Sequence, residues 1–153
     1  MFKRLRQPLF FLAVLTALSG LLSSTAVRAA EPAGTIKVVK GSVSILRDGQ
    51  VIEATLGAPV MAQDRLRTGA DGSVGVTLKD DTLISSGPNS TVALDKYAFN
   101  ATTHVGEMLI SVLKGTFSMV SGMMVKHSPE AAVVKTPTAT IGVRGTEFAI
   151  EVD

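Results

Sequence analysis

The side chains that most often carry catalysis or bind metals are few in this sequence, and none of them falls in a recognised pattern. His104 and His127, the only histidines, lie 23 positions apart, outside the His-x-His and i, i+4 spacings of common zinc sites, and are predicted to be exposed loop residues. The sequence has no cysteine, and no serine stands in the Gly-x-Ser-x-Gly motif of serine hydrolases. We therefore predict no metal, no cofactor and no catalytic residue.

The carboxylates give no pair suited to acid–base catalysis. The candidates are Asp80, Asp81, Glu107, Glu130 and Glu147. A glycosidase would need two of them across a cleft, and their spacing selects no pair. The adjacent Asp80 and Asp81 stand between two strand-like runs and are predicted to form a solvated turn. An enzyme that acts on cell-wall glycan or peptide stays open as an alternative.

Two Arg-Gly-Thr clusters remain as candidate sites. The first is Arg67, Thr68 and Gly69, and the second is Arg144, Gly145, Thr146 and, two positions later, Phe148. An arginine at a sharp backbone bend can present its guanidinium to a ligand carboxylate or phosphate.

The alternative for Arg144 is structural: it pairs with an internal carboxylate such as Asp64 and ties two layers of strands together. We favour this role because its neighbours Ile141, Val143 and Phe148 have the character of core residues. Arg144→Ala is then expected to cost about 3–5 kcal/mol, since it leaves a buried carboxylate unpaired.

The elements that must position these residues are predicted to be short β-strands. After Ala30 the sequence consists of β-branched runs broken by Gly, Asp and Asn, and no helical period lasts beyond two turns. Alternate positions of the first two runs are apolar, at Ile36, Val38, Val43 and Ile45. This alternation predicts one buried and one exposed face, and Asp48-Gly49 is typical of a tight hairpin turn.

Further turns are predicted along the chain. Hairpin steps are expected at 79–81, between strands 73–78 and 82–85, at 87–89, before strand 90–94, and at 114–115, between strands 107–113 and 116–120. A last pair of strands, 132–136 and 147–152, brackets a Gly-rich bend, and only 123–132 can hold a helical turn. The predicted fold is all-β, with short antiparallel strands in a twisted sandwich or a solenoid-like roll, preceded by a signal-peptide helix.

The positive charge is concentrated at the beginning of the chain. The 153 residues carry a formal net charge of +2, but four of the 15 Lys and Arg lie in the first 28 positions. The remainder has 11 cations against 13 carboxylates, a net charge of −2. It also has one Tyr, no Trp and no Lys/Arg run, so nucleic-acid binding is not expected.

Residues 1–29 have the order of a secretory signal peptide, with three early cations, an uncharged stretch over 8–22 and small residues before Ala30. The uncharged stretch is shorter than the ~20 residues that a membrane span needs. We predict cleavage after Ala29, one domain over 30–153 and a periplasmic or secreted location, with membrane contact only before cleavage. Without cysteine the chain has no disulfide and no lipidated N-terminal cysteine.

The order of short motifs from 34 to 152 resembles the FecR domain, named after the periplasmic part of an iron-dicitrate sensor regulator. The motifs are Gly41-Ser42-Val43, Asp64-Arg65-Leu66-Arg67-Thr68-Gly69, Gly72-Ser73, Pro88-Asn89-Ser90, Leu113-Lys114-Gly115-Thr116, Thr136-Pro137-Thr138 and Arg144-Gly145-Thr146-Glu147-Phe148. The resemblance implies an all-β, non-catalytic domain outside the cytoplasm that binds other proteins. Its best-known members hold a sigma factor through a cytoplasmic segment. A signal peptide takes the place of that segment here, so sigma regulation is not carried over.

The resulting prediction is a non-enzymatic periplasmic module that recognises envelope proteins through its surface. The alternatives are the cell-wall enzyme and a structural envelope protein that self-associates. The final run, 146–152, is expected to be a strand with a poorly protected outer edge, because no strand follows it in the sequence. A partner strand or a second copy of the chain can complete the sheet there.

Overall fold

The computed structural model describes residues 29–153, most of which lie in strands of one curled sheet. The strands are β1 Gly34–Lys40, β2 Val43–Arg47, β3 Gln50–Glu53, β4 Pro59–Val60, β5 Arg65–Thr68, β6 Ser73–Leu78, β7 Leu83–Ser86, β8 Thr91–Phe99, β9 Gly106–Val120, β10 Ala132–Lys135, β11 Thr140–Gly142 and β12 Glu147–Val152. Helix α1 spans Met123–His127 and precedes a 3₁₀ turn at Pro129–Ala131, within the segment predicted to hold a helical turn. The predicted signal-peptide helix, in residues 1–28, lies outside the described residues.

Nine strands follow one another across the sheet in the order β3-β2-β5-β8-β9-β7-β6-β1-β4. Off this path, β12 pairs antiparallel with β9, and β10 pairs parallel with β9 and antiparallel with β11. The prediction of an all-β fold with antiparallel strands is confirmed. The form of the sheet is a curled half-barrel.

Strand β9 joins two sides of this sheet. Its first part pairs with β8 and β10, and its last part pairs with β7 and β12. The strands connected through the first part of β9 are called the β8 side (β8, β5, β2, β3, β10, β11). Those connected through its last part are called the β7 side (β7, β6, β1, β4, β12). The prediction of two strands separated at Lys114-Gly115 is wrong. A register shift against β8 and a φ of +86° at Gly115 bend the strand without ending it.

The core lies between the two sides. Side chains from both meet around a cavity of only about 10 Å³. They are Val60, Val76, Leu78 and Ile84 from the β7 side, Leu66, Val92 and Leu94 from the β8 side, and Ile110 from β9. Since a single water needs ~10–15 Å³ of such volume, this interior has no room for a ligand and is packed like an ordinary protein core.

Several predicted local elements are confirmed. Asp48 and Gly49 have φ of 49° and 77°, as a type I′ turn requires, and they join the antiparallel pair β2 and β3. Strands β6 and β7 pair antiparallel around the predicted turn at 79–81.

Other predictions differ from the structure, in each case because a strand pairs with residues far away in the sequence. Residues 87–89 form no hairpin, because β7 and β8 do not pair with each other but with successive parts of β9. The last two predicted strands do form, as β10 and β12, but both of them pair with β9. Val38 is 46% exposed, because a bulge between Ile36 and Val38 changes which residues of β1 face the core.

Candidate functional site

The carboxylate of Asp64, just before the first Arg-Gly-Thr cluster, is buried and pairs with Arg47. Nε and Nη2 of Arg47 donate to its two oxygens at 2.8 and 2.7 Å, and the amide of Met61 donates to it at 2.8 Å. Nη2 also donates to the carbonyl of Pro59 at 3.0 Å. The hydrogen bond to Asp64 raises the pKa of Arg47 above its ordinary value. This bidentate pair, with the bond to Pro59, fastens β2 to β4 and to the turn that follows it.

The predicted pairing of Arg144 with Asp64 is therefore wrong. Arg144 is exposed and makes no salt bridge or side-chain hydrogen bond within residues 29–153. Its apolar neighbours do reach the core, since Val143 is buried and Ile141 and Phe148 pack against it. Because successive side chains of an extended segment alternate in direction, the inward position of Val143 turns Arg144 toward solvent.

The other members of the two clusters hold segments together through the backbone. The buried hydroxyl of Thr68 donates to the carbonyl of Gly87 at 2.6 Å and accepts the amide of Ser90 at 2.8 Å. The carbonyls of Gly145 and Thr146 accept the hydroxyl and the amide of Ser121 at 3.0 and 2.7 Å.

Gly69 has the same function as Thr68 at the end of β5. Its amide donates to the carbonyl of Ser42 at 2.9 Å, and its carbonyl accepts the amides of Gly72 and Asn89, each at 3.0 Å. Arg67, on the exposed face of β5, points to solvent. The clusters thus fix connections between strands, while their two arginines stay on the surface.

This arrangement predicts opposite outcomes for two arginine substitutions. Arg47→Ala is expected to lower the free energy of unfolding by about 2–3 kcal/mol, because it leaves the buried Asp64 carboxylate without its cation; the partial exposure of Arg47 keeps the loss below the full cost of a buried pair. Arg144→Ala is expected to change it by less than about 0.5 kcal/mol. Urea unfolding of both variants measures the difference, and equal losses would contradict the assignment.

The environment of Asp80 differs from the prediction, which placed this residue in a solvated turn. It is fully buried, and its carboxylate accepts the hydroxyls of Thr82 and Tyr97 at 2.6 and 2.9 Å and, more weakly, the amide of Met124 at 3.4 Å. Burial, and then the charge of Asp80, raise the pKa of Tyr97 above its ordinary value, so its hydroxyl remains a donor. Only Asp81 is exposed as predicted.

A shallow groove of about 550 Å³ crosses the exposed surface of β7, β9 and β12. Mostly small side chains line it, among them Ser85, Gly87, Thr116, Ser118 and Ala149, with Glu151 at the β12 end. Ser118 pairs in register with Ser85 on one side and with Ala149 on the other, so these three form a row across the sheet.

Strand β12 borders this groove and is paired along one edge. It runs antiparallel to β9 from Glu147 opposite Val120 to Val152 opposite Gly115, and no other strand of residues 29–153 pairs with it. The predicted strand and its alternation are confirmed: Phe148, Ile150 and Val152 pack against the core, while the residues between them are exposed. Occupation of the free edge by a partner or a second copy stays a prediction.

The family comparison agrees with the motifs. The family model for FecR protein matches residues 64–153, more than half of the chain. The chain belongs to the FecR family. Neither the curated proteins nor the solved structures include a match to it. FecR proteins are envelope-associated, non-enzymatic signalling regulators, and the FecR domain suggests a signalling or regulatory module. In residues 29–153, no helix is long and apolar enough to span a membrane.

The FecR match begins inside the folded sheet. Strands β1 to β4 precede residue 64, yet β1 pairs with β6 and β2 pairs with β5 within the match. Arg47 likewise lies outside the matched residues while its partner Asp64 lies inside. The preceding strands are therefore part of the same structural unit as the FecR region, as the motif resemblance from residue 34 implied.

The two histidines lie closer together in the FecR fold than their spacing predicts. Their ring centroids are 6.4 Å apart with nearly perpendicular planes, and His104 also stacks on Phe99 at 6.2 Å. His127 is exposed as predicted, whereas His104 is half-buried. The described part of the chain has no group of three or more His, Cys, Asp or Glu side chains that could hold a metal.

Proposed function

We propose that this FecR-family chain is a non-enzymatic interaction module of the cell envelope that binds another protein by adding a strand to β12. Export by the signal peptide of residues 1–29 and a single domain over 30–153 are parts of this proposal. The observation that carries it is the free edge of β12. Edge strands present unpaired N–H and C=O groups, which an extended partner segment can pair with.

The buried carboxylates favour a binding role over catalysis, because they stabilise the fold. The two fully buried carboxylates, Asp64 and Asp80, hold strands together through Arg47 and through Thr82 and Tyr97. They are thus engaged in the structure, and neither of them lines the surface groove. By contrast, the groove and the β12 edge are open to an approaching chain.

Site-specific crosslinking tests this function. A photoreactive residue is placed at Ala149, exposed on β12, and in a second variant at Val51, which is 70% exposed on the distant edge strand β3. In envelope preparations, Ala149 is expected to crosslink to one defined protein while Val51 does not. In the purified complex the amides of Glu147–Val152 are expected to exchange more slowly than in the free protein.

The same material tests the remaining parts of the proposal. The intact mass of the exported protein is expected to correspond to residues 30–153. Retention of residues 1–29 would contradict the signal-peptide assignment. If the β12 amides already exchange slowly in the free protein and do not respond to the partner, the edge is not the binding site.

A further inference from the structure

The charged side chains of β12 all have one sign. Its exposed face carries Glu147, Ala149 and Glu151 in alternation. Neither glutamate makes a salt bridge or side-chain hydrogen bond among residues 29–153. The strand therefore presents two carboxylates on either side of a methyl group, next to a row of unpaired backbone groups.

We propose that the segment added to β12 is basic on its exposed face, with a Lys or Arg opposite Ala149. This inference rests on the proposed function and specifies its partner. An added strand lies ~4.8 Å from β12, and a residue opposite Ala149 is diagonal to Glu147 and Glu151 at ~7–8 Å, within reach of a long side chain. A single cation there can contact both carboxylates.

The groove provides room for the stem of such a side chain. The row of small residues runs from Ala149 across the sheet to Ser118 and Ser85. A Lys or Arg side chain that extends from the added strand over β12 therefore passes only small side chains. On its other face, the added strand meets the half-buried Phe148 and Ile150. The partner is thus an extended segment in which basic and apolar residues alternate.

The same charges disfavour a second copy of this chain as the occupant. Two β12 strands paired antiparallel about Ala149 place Glu147 opposite Glu151 of the other copy, and pairing about Ile150 places Glu147 opposite Asp153. Like charges directly opposite destabilise a strand pair. The edge strand β3 is exposed at all four of its residues, Gln50–Glu53, and supplies no cation.

Three synthetic peptides test this partner chemistry: Val alternating with Lys, with Thr or with Glu. Fluorescence anisotropy measures their affinity for the purified protein, and amide exchange locates them. The Lys peptide is expected to bind about tenfold more tightly than the Thr peptide and to slow exchange in β12, with the Glu peptide weakest. In the double variant Glu147→Lys/Glu151→Lys this order is expected to reverse. The matched control Glu53→Lys/Glu130→Lys, which changes two exposed glutamates elsewhere, is expected to keep it.

The outcomes separate this inference from the proposed function. If all three peptides slow exchange in β12 equally, strand addition stands and the basic partner is overturned. If the control variant reverses the order as fully as the β12 variant does, the preference reflects net charge and the inference fails. If no peptide slows exchange in β12, the proposed function itself fails. Concentration-dependent dimerisation that protects β12 would make the occupant a second copy and would overturn the inference as well.

Discussion

Asp80→Ala is expected to lower the free energy of unfolding by about 3–5 kcal/mol. The substitution removes the acceptor of the Thr82 and Tyr97 hydroxyls, and each buried donor left unpaired costs ~1–3 kcal/mol. Asp80→Asn keeps the size of the side chain and is expected to lose about half as much. Urea unfolding measures both values.

The neighbouring aspartate provides the control. Asp81 is exposed with a φ of 64°, a conformation that Asn tolerates, so Asp81→Asn is expected to stay within about 0.5 kcal/mol of the unmodified protein. A loss below about 1 kcal/mol for Asp80→Ala would mean that the carboxylate does not organise this turn.

Gly115→Ala is expected to cost about 3 kcal/mol or more. Gly115 has a φ of +86°, and a Cβ there would lie 2.2 Å from Oγ and 2.5 Å from Cα of Ser90. An alanine in this left-handed conformation costs ~1–2 kcal/mol in backbone strain. The remaining cost comes from the displacement of the Ser90 backbone by the added methyl group. It also disrupts the hydrogen bond from the Thr116 amide to the Ser90 hydroxyl, 3.0 Å in length.

Gly142→Ala is the matched control, because no atom lies within 4 Å of its added methyl group and its φ is not positive. It is expected to change stability by less than about 0.5 kcal/mol, as judged by urea unfolding. Similar losses for the two variants would show that Gly115 is not required for the bend in β9.

The sequence predicted faces and turns well, because these depend on neighbouring residues. Alternation placed Phe148 and Ile150 on the inward face of β12, and Asp48-Gly49 specified its hairpin through the backbone angles that these residues tolerate. Pairings were predicted less well. A period of two shows which face a strand buries, but it does not identify the strand beside it, so the connection at 87–89 was predicted to be a hairpin.

Buried charges were the hardest feature to predict. Two adjacent aspartates between strands have the composition of an exposed turn, and Tyr97, the partner that distinguishes Asp80, lies 17 residues away. Asp64 was expected only as one carboxylate that Arg144 could reach, but its partner is Arg47, in a run that otherwise alternates as an ordinary strand. The available signal was that Arg47 follows Val43 and Ile45 at inward positions.

Because β9 belongs to both sides of the sheet, binding energy at β12 is shared by the whole domain. The hydrogen-bonded path across the sheet from β12 to β2 and β3 runs through β9, and the two sides share one hydrophobic core. A ligand at a hundred times its dissociation constant stabilises the folded state by ~2.7 kcal/mol. If the proposed partner occupies the β12 edge, we expect slower exchange through global unfolding also at amides of β2, four strands away along that path, by thermodynamic linkage alone and without any change in shape.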